Sequence, residues 1–113
     1  MIPSAFEYER ATSVDDALAK LAATGATGKF IAGGHSLVPL MKLRLNEPTT
    51  LIDIARIPSL AGVRDVDGAI EVGAGTVHHD VATSSLLRQQ CPVVAETAGT
   101  IGDPQVRNRG TLG

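Results

Sequence analysis

Hydrophobic and polar positions in the first half of the chain switch between helical and strand-like spacing. Over residues 12–25, apolar side chains recur at i, i+3, i+4 and i+7, a spacing that predicts one amphipathic helix. Ser13 suits the N-cap of this helix and Gly25 suits its C-cap. The apolar runs KFIA at 29–32 and TTLIDI at 49–54 predict short buried strands. Strands that alternate with helices in this way are typical of a parallel sheet.

A second, shorter helix is predicted between those two strands. Within HSLVPLMKLRL, apolar residues fall at 37, 40, 41 and 45. Ser36 could act as the N-cap of this helix. Pro39 is tolerated in the first turn because its missing N–H would have no partner inside the helix.

From Gly62 onward the pattern changes to alternating apolar and polar side chains. The stretch GVRDVDGAIEVGAGT is centred on Asp67-Gly68, a dipeptide that strongly favours a two-residue hairpin turn. Helices are then predicted over 78–90 and 92–102, and the remaining residues are polar and rich in turn formers.

These elements together predict an α/β (α+β) fold. Residues 1–60 are expected to form a small parallel βαβ subdomain, and residues 61–113 the beginning of an antiparallel-sheet subdomain. One hairpin and two helices do not complete such a layer, so the second subdomain is expected to be incomplete.

Composition narrows the possible partners. The 113 residues carry a net charge of -2 without a basic block, which argues against nucleic acid as the main partner. No apolar run approaches the roughly 20 residues of a membrane span, and the N-terminus lacks a signal peptide pattern. Cys91 is the only cysteine, which favours a reducing, cytoplasmic compartment and leaves too few thiolates for an iron–sulfur cluster.

The stretch FIAGGHSL, residues 30–37, is the first candidate site. A strand followed by two glycines, a hydroxyl and a helix start exposes backbone N–H groups to which phosphate can bind. The spacing of Gly33 and Gly34 matches neither the dinucleotide motif GxGxxG nor a P-loop. On chemistry alone, phosphate binding and a plain strand-to-helix turn remain equally supported.

The second candidate site is RNRGTLG at 107–113, which combines cationic, amide, hydroxyl and bare backbone donors. Taken alone, this segment is better explained as a solvated loop than as a binding site. Arg107 and Arg109 could bind phosphate, pair with acids or face a partner. The adjacent His78 and His79 point to different sides of a helix, unlike the i, i+4 pair of a zinc helix, so no metal site is predicted.

Taken together, the two motifs carry a resemblance. AGGHSLVPLMKLRL followed by IGDPQVRNRGTLG resembles the PCMH-type flavin-binding domain of the molybdenum hydroxylases, and in particular the FAD-binding medium subunit of the carbon-monoxide-dehydrogenase type. IPSAFEYERATSVDDALAKL and LIDIARIPSLAGV also match that family's pattern. His35 is typical of the carbon-monoxide-dehydrogenase subset, since other members often carry glutamine there.

The resemblance implies that FAD is the cofactor and lies between the two subdomains. Residues 30–37 would form the first FAD loop around the pyrophosphate, residues 111–113 the start of the second, and Ile101 an apolar wall. The implied cofactor-binding residues are Phe30, Ile31, Ala32, Gly33, Gly34, His35, Ser36, Leu37, Ile101, Thr111, Leu112 and Gly113.

The implied role is electron transfer within an oxidoreductase. An iron–sulfur small subunit and a molybdopterin large subunit would be the partners, and the flavin subunit would pass electrons to an external acceptor. Neither a catalytic side chain nor a metal ligand is expected in this chain. Because family members continue beyond the motif GTLG, the chain is expected to be a truncated form. Two alternatives are a non-catalytic nucleotide-binding or assembly module and a stand-alone flavin oxidase of the same fold.

Overall fold

The computed structural model describes residues 2–113, which form two compact units. The first unit ends at Pro58 and the second runs from Ser59 to Gly113. The elements of the first unit are β1 (Glu7–Arg10), α1 (Val14–Thr24), β2 (Gly28–Ile31), α2 (Leu37–Lys42) and β3 (Thr50–Asp53).

The sheet of the first unit has three parallel strands in the order β1-β3-β2. Its central strand β3 is the most buried of the three, with Leu51 and Ile52 in the core. The predicted parallel half is therefore confirmed. Strand β1 was not predicted, because all four side chains of EYER are exposed and carry no apolar alternation.

Helix α1 has the caps that its sequence predicts. The Ser13 hydroxyl accepts a hydrogen bond from the Asp16 backbone N–H at 3.0 Å, and Gly25 ends the helix with φ 68°. The Asp16 carboxylate in turn accepts from the Thr12 N–H at 3.0 Å and from the Lys20 ammonium at 2.9 Å. Side-chain oxygens of Ser13 and Asp16 thus accept from backbone N–H groups at the start of this helix.

The second unit begins with a hairpin of β4 (Val63–Val66) and β5 (Ala69–Val72). Asp67 and Gly68 have φ values of 51° and 81°, the left-handed pair that a type I′ turn requires, so the predicted hairpin is confirmed. The helices that follow are α3 (His78–Thr83), α4 (Ser85–Gln90), α5 (Pro92–Gly99) and α6 (Pro104–Arg107).

The helices differ from the prediction in two places. The single helix expected over 78–90 breaks at Ser84, whose hydroxyl accepts from the Leu87 N–H at 3.3 Å and caps α4. The polar end of the chain is not turn alone, since Asp103 caps the short helix α6 by accepting from the Val106 N–H at 2.9 Å.

The core of the second unit lies between α3, α4 and α5. Its buried members are Val81, Leu87, Ala95 and Ala98, and the partly buried Cys91 packs against them. Within residues 2–113, no helix combines the length and the apolar character that crossing a membrane requires.

Candidate functional site

The first candidate loop joins the carboxyl end of β2 to α2, and its backbone is set by Gly34. This glycine has φ 81°, and its carbonyl accepts from the Val38 N–H at 3.0 Å. A Cβ on Gly34 would lie 3.2 Å from Val38 Cγ2. Both the backbone angle and the contact therefore favour glycine at this position.

The loop presents donors without partners. Within residues 2–113, the backbone N–H groups of 34–37 have no acceptor. Ser36 precedes α2, but its hydroxyl does not cap the helix, contrary to the expectation, and has no hydrogen bond to the described residues. His35 and Ser36 are exposed. Because the loop contains no carboxylate, its chemistry suits an anion.

Phe30 and Ile31 end strand β2, where Phe30 is 37% exposed and Ile31 pairs with Asp53. Ala32, Gly33 and Leu37 are half-buried. The predicted residues 30–37 thus form one continuous strand–turn–helix segment.

The second candidate segment, residues 110–113, pairs with the backbone that follows β5. Val77 and Thr111 form an antiparallel bridge. The Leu112 N–H donates to the Thr76 carbonyl at 2.9 Å, and the Gly113 N–H donates to the Ala74 carbonyl at 2.8 Å. The segment is therefore held against residues 74–77 by one isolated bridge and two further backbone hydrogen bonds.

Gly113 admits no side chain at this place. A Cβ there would lie 2.6 Å from the Cβ of Ala74, closer than two such atoms can approach. The Thr111 hydroxyl donates to the Gly113 carbonyl at 3.2 Å, a local hydrogen bond within the segment.

Ile101 and Leu112 line one surface pocket of about 250 Å³ in the second unit. Leu112 is 48% exposed, so an apolar surface remains open to solvent beside the glycine segment. The other lining residues are His78, Val81, Val93, Val94, Thr97 and Ala98. The pocket thus brings together two of the predicted residues that are distant in sequence.

Sequence analysis missed the segment 74–78 that holds residues 110–113. The glycines of GAGT, residues 73–76, were the available sequence signal. A Cβ on Gly73 would lie 2.3 Å from the Leu60 carbonyl oxygen, so only glycine fits there. Thr76 is buried, and its hydroxyl accepts from the Gly62 N–H at 2.9 Å. These contacts fix the backbone with which the C-terminal segment pairs.

The histidines and arginines noted in the sequence differ in their surroundings. His78 packs against Gly110 and its Nδ1 is buried without a partner within residues 2–113, whereas His79 is exposed. Arg107 donates to the backbone carbonyls of Ile101 and Gly102. The part of the chain that the structure describes contains no group of three His, Cys, Asp or Glu residues arranged for a metal.

Comparison with known proteins decides the family. A family model described as the FAD binding domain in molybdopterin dehydrogenase matches residues 4–113. The chain belongs to this FAD-binding family. Its sequence is 50% identical, over all 113 residues, to the carbon monoxide dehydrogenase medium chain of Hydrogenophaga pseudoflava, of which it covers 39%.

Other relatives are also similar to this chain over its whole length. The chain is 47% identical over 113 residues to the 6-hydroxypseudooxynicotine dehydrogenase complex subunit alpha of Paenarthrobacter nicotinovorans and covers 38% of it. It matches a chain in the crystal structure of a cyanide-inactivated Cu,Mo-CO dehydrogenase with a TM-score of 0.96 and 42% identity, covering 100% of this chain and 40% of that one. The chain thus spans about two fifths of the length of these relatives.

FAD is the cofactor of this family, and the residues present fit it. The free N–H groups of 34–37 and the Ser36 hydroxyl offer hydrogen bonds suited to a pyrophosphate. The absence of a Cβ at Gly34 lets an anion approach the backbone. The pocket beside Ile101 and Leu112 offers an apolar surface of the kind that a flavin ring system contacts.

Proposed function

We propose that this chain is part of the FAD-binding, electron-transfer subunit of a molybdenum-containing hydroxylase. The observation that carries the proposal is the loop at 30–37, where Gly34 has a left-handed backbone and four successive N–H groups are free within residues 2–113. A chain of the FAD-binding family with such a loop has the donors that a dinucleotide pyrophosphate needs.

The roles of the site residues follow from their chemistry. In the proposal, residues 33–37 bind the pyrophosphate through backbone N–H groups and the Ser36 hydroxyl. Ile101 and Leu112 contact the cofactor through apolar side chains, and the extended segment 111–113 presents its backbone to it. These residues bind and orient the cofactor and exclude water, and none acts as an acid, base or nucleophile.

Bound FAD would supply the redox chemistry, accepting electrons and passing them on to an external acceptor. The proposed partners are an iron–sulfur small subunit, the source of the electrons, and a molybdopterin large subunit, where the substrate is oxidised. Two relatives are a medium chain and a subunit of a dehydrogenase complex, which supports a hetero-oligomer. We propose carbon monoxide or a related substrate for the complex, because the chain is 50% identical over 113 residues to a carbon monoxide dehydrogenase medium chain. The single Cys91 favours the cytoplasm.

The test compares two glycines that share a left-handed φ. Gly34 lies in the loop, whereas Gly25 ends α1 with φ 68° and open space around its Cβ position. Gly34→Ala and Gly25→Ala should each cost roughly 1–3 kcal/mol of stability, because alanine is strained at positive φ. Only Gly34→Ala should weaken FAD binding, by at least about tenfold.

FAD affinity is measured on the purified protein by quenching of flavin fluorescence, and folding by circular dichroism. If Gly34→Ala and the unchanged protein bind FAD with equal affinity, the loop at 30–37 does not bind the cofactor. A folded protein without measurable affinity for FAD would instead favour a role in subunit assembly alone.

A further inference from the structure

Arg107 lies in the last turn of α6, and its guanidinium reaches back to the backbone that follows α5. Nη1 donates to the Ile101 carbonyl at 3.2 Å and to the Gly102 carbonyl at 2.9 Å. Carbonyl groups just past a helix end have lost their helical donors and attract cations. The guanidinium therefore supplies donors that the backbone itself no longer provides there.

The turn between α5 and α6 is tight. Gly102 has φ 52°, and a Cβ on it would lie 2.9 Å from the Cβ of Val106. Asp103 caps α6, and the Arg107 N–H donates to the Asp103 carbonyl at 3.0 Å. Residues 101–107 thus form a closed turn whose two ends are joined by the Arg107 side chain.

Arg107 and Arg109 differ in what they contact. Within residues 2–113 the only ion pairs are Lys20 with Asp16 and Arg64 with Glu71, so neither arginine pairs with a carboxylate there. Arg107 is half-buried and hydrogen-bonded to backbone, whereas Arg109 is exposed. The two arginines of RNRGTLG therefore have different roles.

We propose that Arg107 is a positioning residue for Ile101. By holding the carbonyls of Ile101 and Gly102, its guanidinium fixes the turn and keeps the Ile101 side chain in the pocket wall that it shares with Leu112. The consequence for FAD rests on the proposed function, in which Ile101 and Leu112 contact the cofactor. Arg107 acts through Ile101 rather than as a direct ligand of phosphate.

The test removes the donors of Arg107 while keeping its aliphatic length. Arg107→Met, Arg107→Lys and the matched control Arg109→Met are compared in the purified protein. FAD affinity is measured by fluorescence quenching, and the position of Ile101 is followed without FAD through the NMR signals of its ¹³C-labelled methyl groups. Circular dichroism and thermal unfolding establish that each variant folds.

We expect Arg107→Met to shift the Ile101 methyl signals and to weaken FAD binding about tenfold, since hydrogen bonds from a charged donor are lost. Arg107→Lys should recover part of both effects, because an ammonium can still donate to these carbonyls. Arg109→Met should change neither. If Arg107→Met does not fold, Arg107→Lys is tested by the same two measurements, and it should show a smaller shift of the Ile101 signals together with a smaller loss of FAD affinity.

Three outcomes would overturn the proposal. Unmoved Ile101 signals in Arg107→Met would show that the guanidinium does not position this residue. Weaker FAD binding with unmoved signals would indicate direct contact with phosphate. An equal loss of affinity in Arg109→Met would indicate a general charge effect. Failure of the unchanged protein to bind FAD would instead refute the proposed function, while the methyl signals would still test the positioning role.

Discussion

The Asp16 carboxylate is hydrogen-bonded at the start of helix α1. The Thr12 backbone N–H, and then the Lys20 ammonium, hold the pKa of the Asp16 carboxyl below its ordinary value of 3.8. A carboxyl with a lowered pKa in the folded state stabilises the protein above the unfolded pKa, and this contribution is lost as the pH falls through the folded pKa.

Asp16→Asn should therefore destabilise the protein near pH 7 and lose this effect in acid. The asparagine can still accept from the Thr12 N–H, so the variant removes charge rather than the hydrogen bond. Urea unfolding at a series of pH values measures the difference from the unchanged protein, which should shrink as the pH falls below about 4. Asp15→Asn is the matched control, since Asp15 lies in the same turn and is exposed. A difference independent of pH would contradict the assignment.

Helix α2 ends in a Schellman motif that lacks the usual glycine. The Leu45 N–H donates to the Leu40 carbonyl at 2.9 Å and the Arg44 N–H to the Met41 carbonyl at 3.0 Å. Arg44 at the left-handed position has φ 55°, where a side chain with a Cβ is strained. The Schellman motif thus forms even though Arg44 is strained at its left-handed position.

Arg44→Gly should raise the free energy of unfolding by about 0.5–1 kcal/mol, because the relieved strain exceeds the added entropy of the unfolded chain. The Arg44 hydrogen bond to the Ile2 carbonyl, at 3.3 Å and exposed, offsets little of this gain. Asp67→Gly serves as the comparison at φ 51°, with a smaller expected gain because aspartate tolerates this region in turns. Chemical denaturation measures the free energy of unfolding of both variants. A loss of stability in Arg44→Gly would contradict the prediction and show that the hydrogen bond from Arg44 to the Ile2 carbonyl outweighs the backbone strain.

The elements that could be predicted from sequence are those whose signals are local. Ser13 and Gly25 mark the ends of α1, and Asp67-Gly68 marks the hairpin, because caps and turns depend on a few neighbouring residues. Strand β1 could not be predicted, since it is defined by backbone pairing with β3 and its side chains are exposed. The break at Ser84 was equally hidden, because a hydroxyl is tolerated within a helix as well as at its start.

The same distinction holds for the candidate site. The loop at 30–37 was predicted because two glycines and a hydroxyl stand together in the sequence. The pairing of 110–113 with 74–78 and the reach of Arg107 to Ile101 could not be predicted in detail. Both depend on segments that only the folded chain brings together.

At the scale of the whole molecule, the proposed FAD contacts are distributed over both compact units. The loop at 30–37 belongs to the first, and Ile101 with the segment 111–113 to the second. The proposed contact residues of the two units also differ before any ligand binds. The N–H groups of 34–37 are free within residues 2–113, whereas those of Leu112 and Gly113 already donate to Thr76 and Ala74.

Hydrogen exchange on the purified protein, with and without FAD, should therefore report protection in both units. For an amide that exchanges only when FAD is released, the rate should fall up to about 100-fold at a free FAD concentration 100 times the Kd. We expect the largest change in peptides that cover 34–37 and a smaller one in those that cover 111–113, whose donors are already bonded. The hairpin turn at Asp67-Gly68 is the internal control and should not change. Protection confined to one unit would mean that the cofactor contacts only that unit, and would refute the assignment of the other motif.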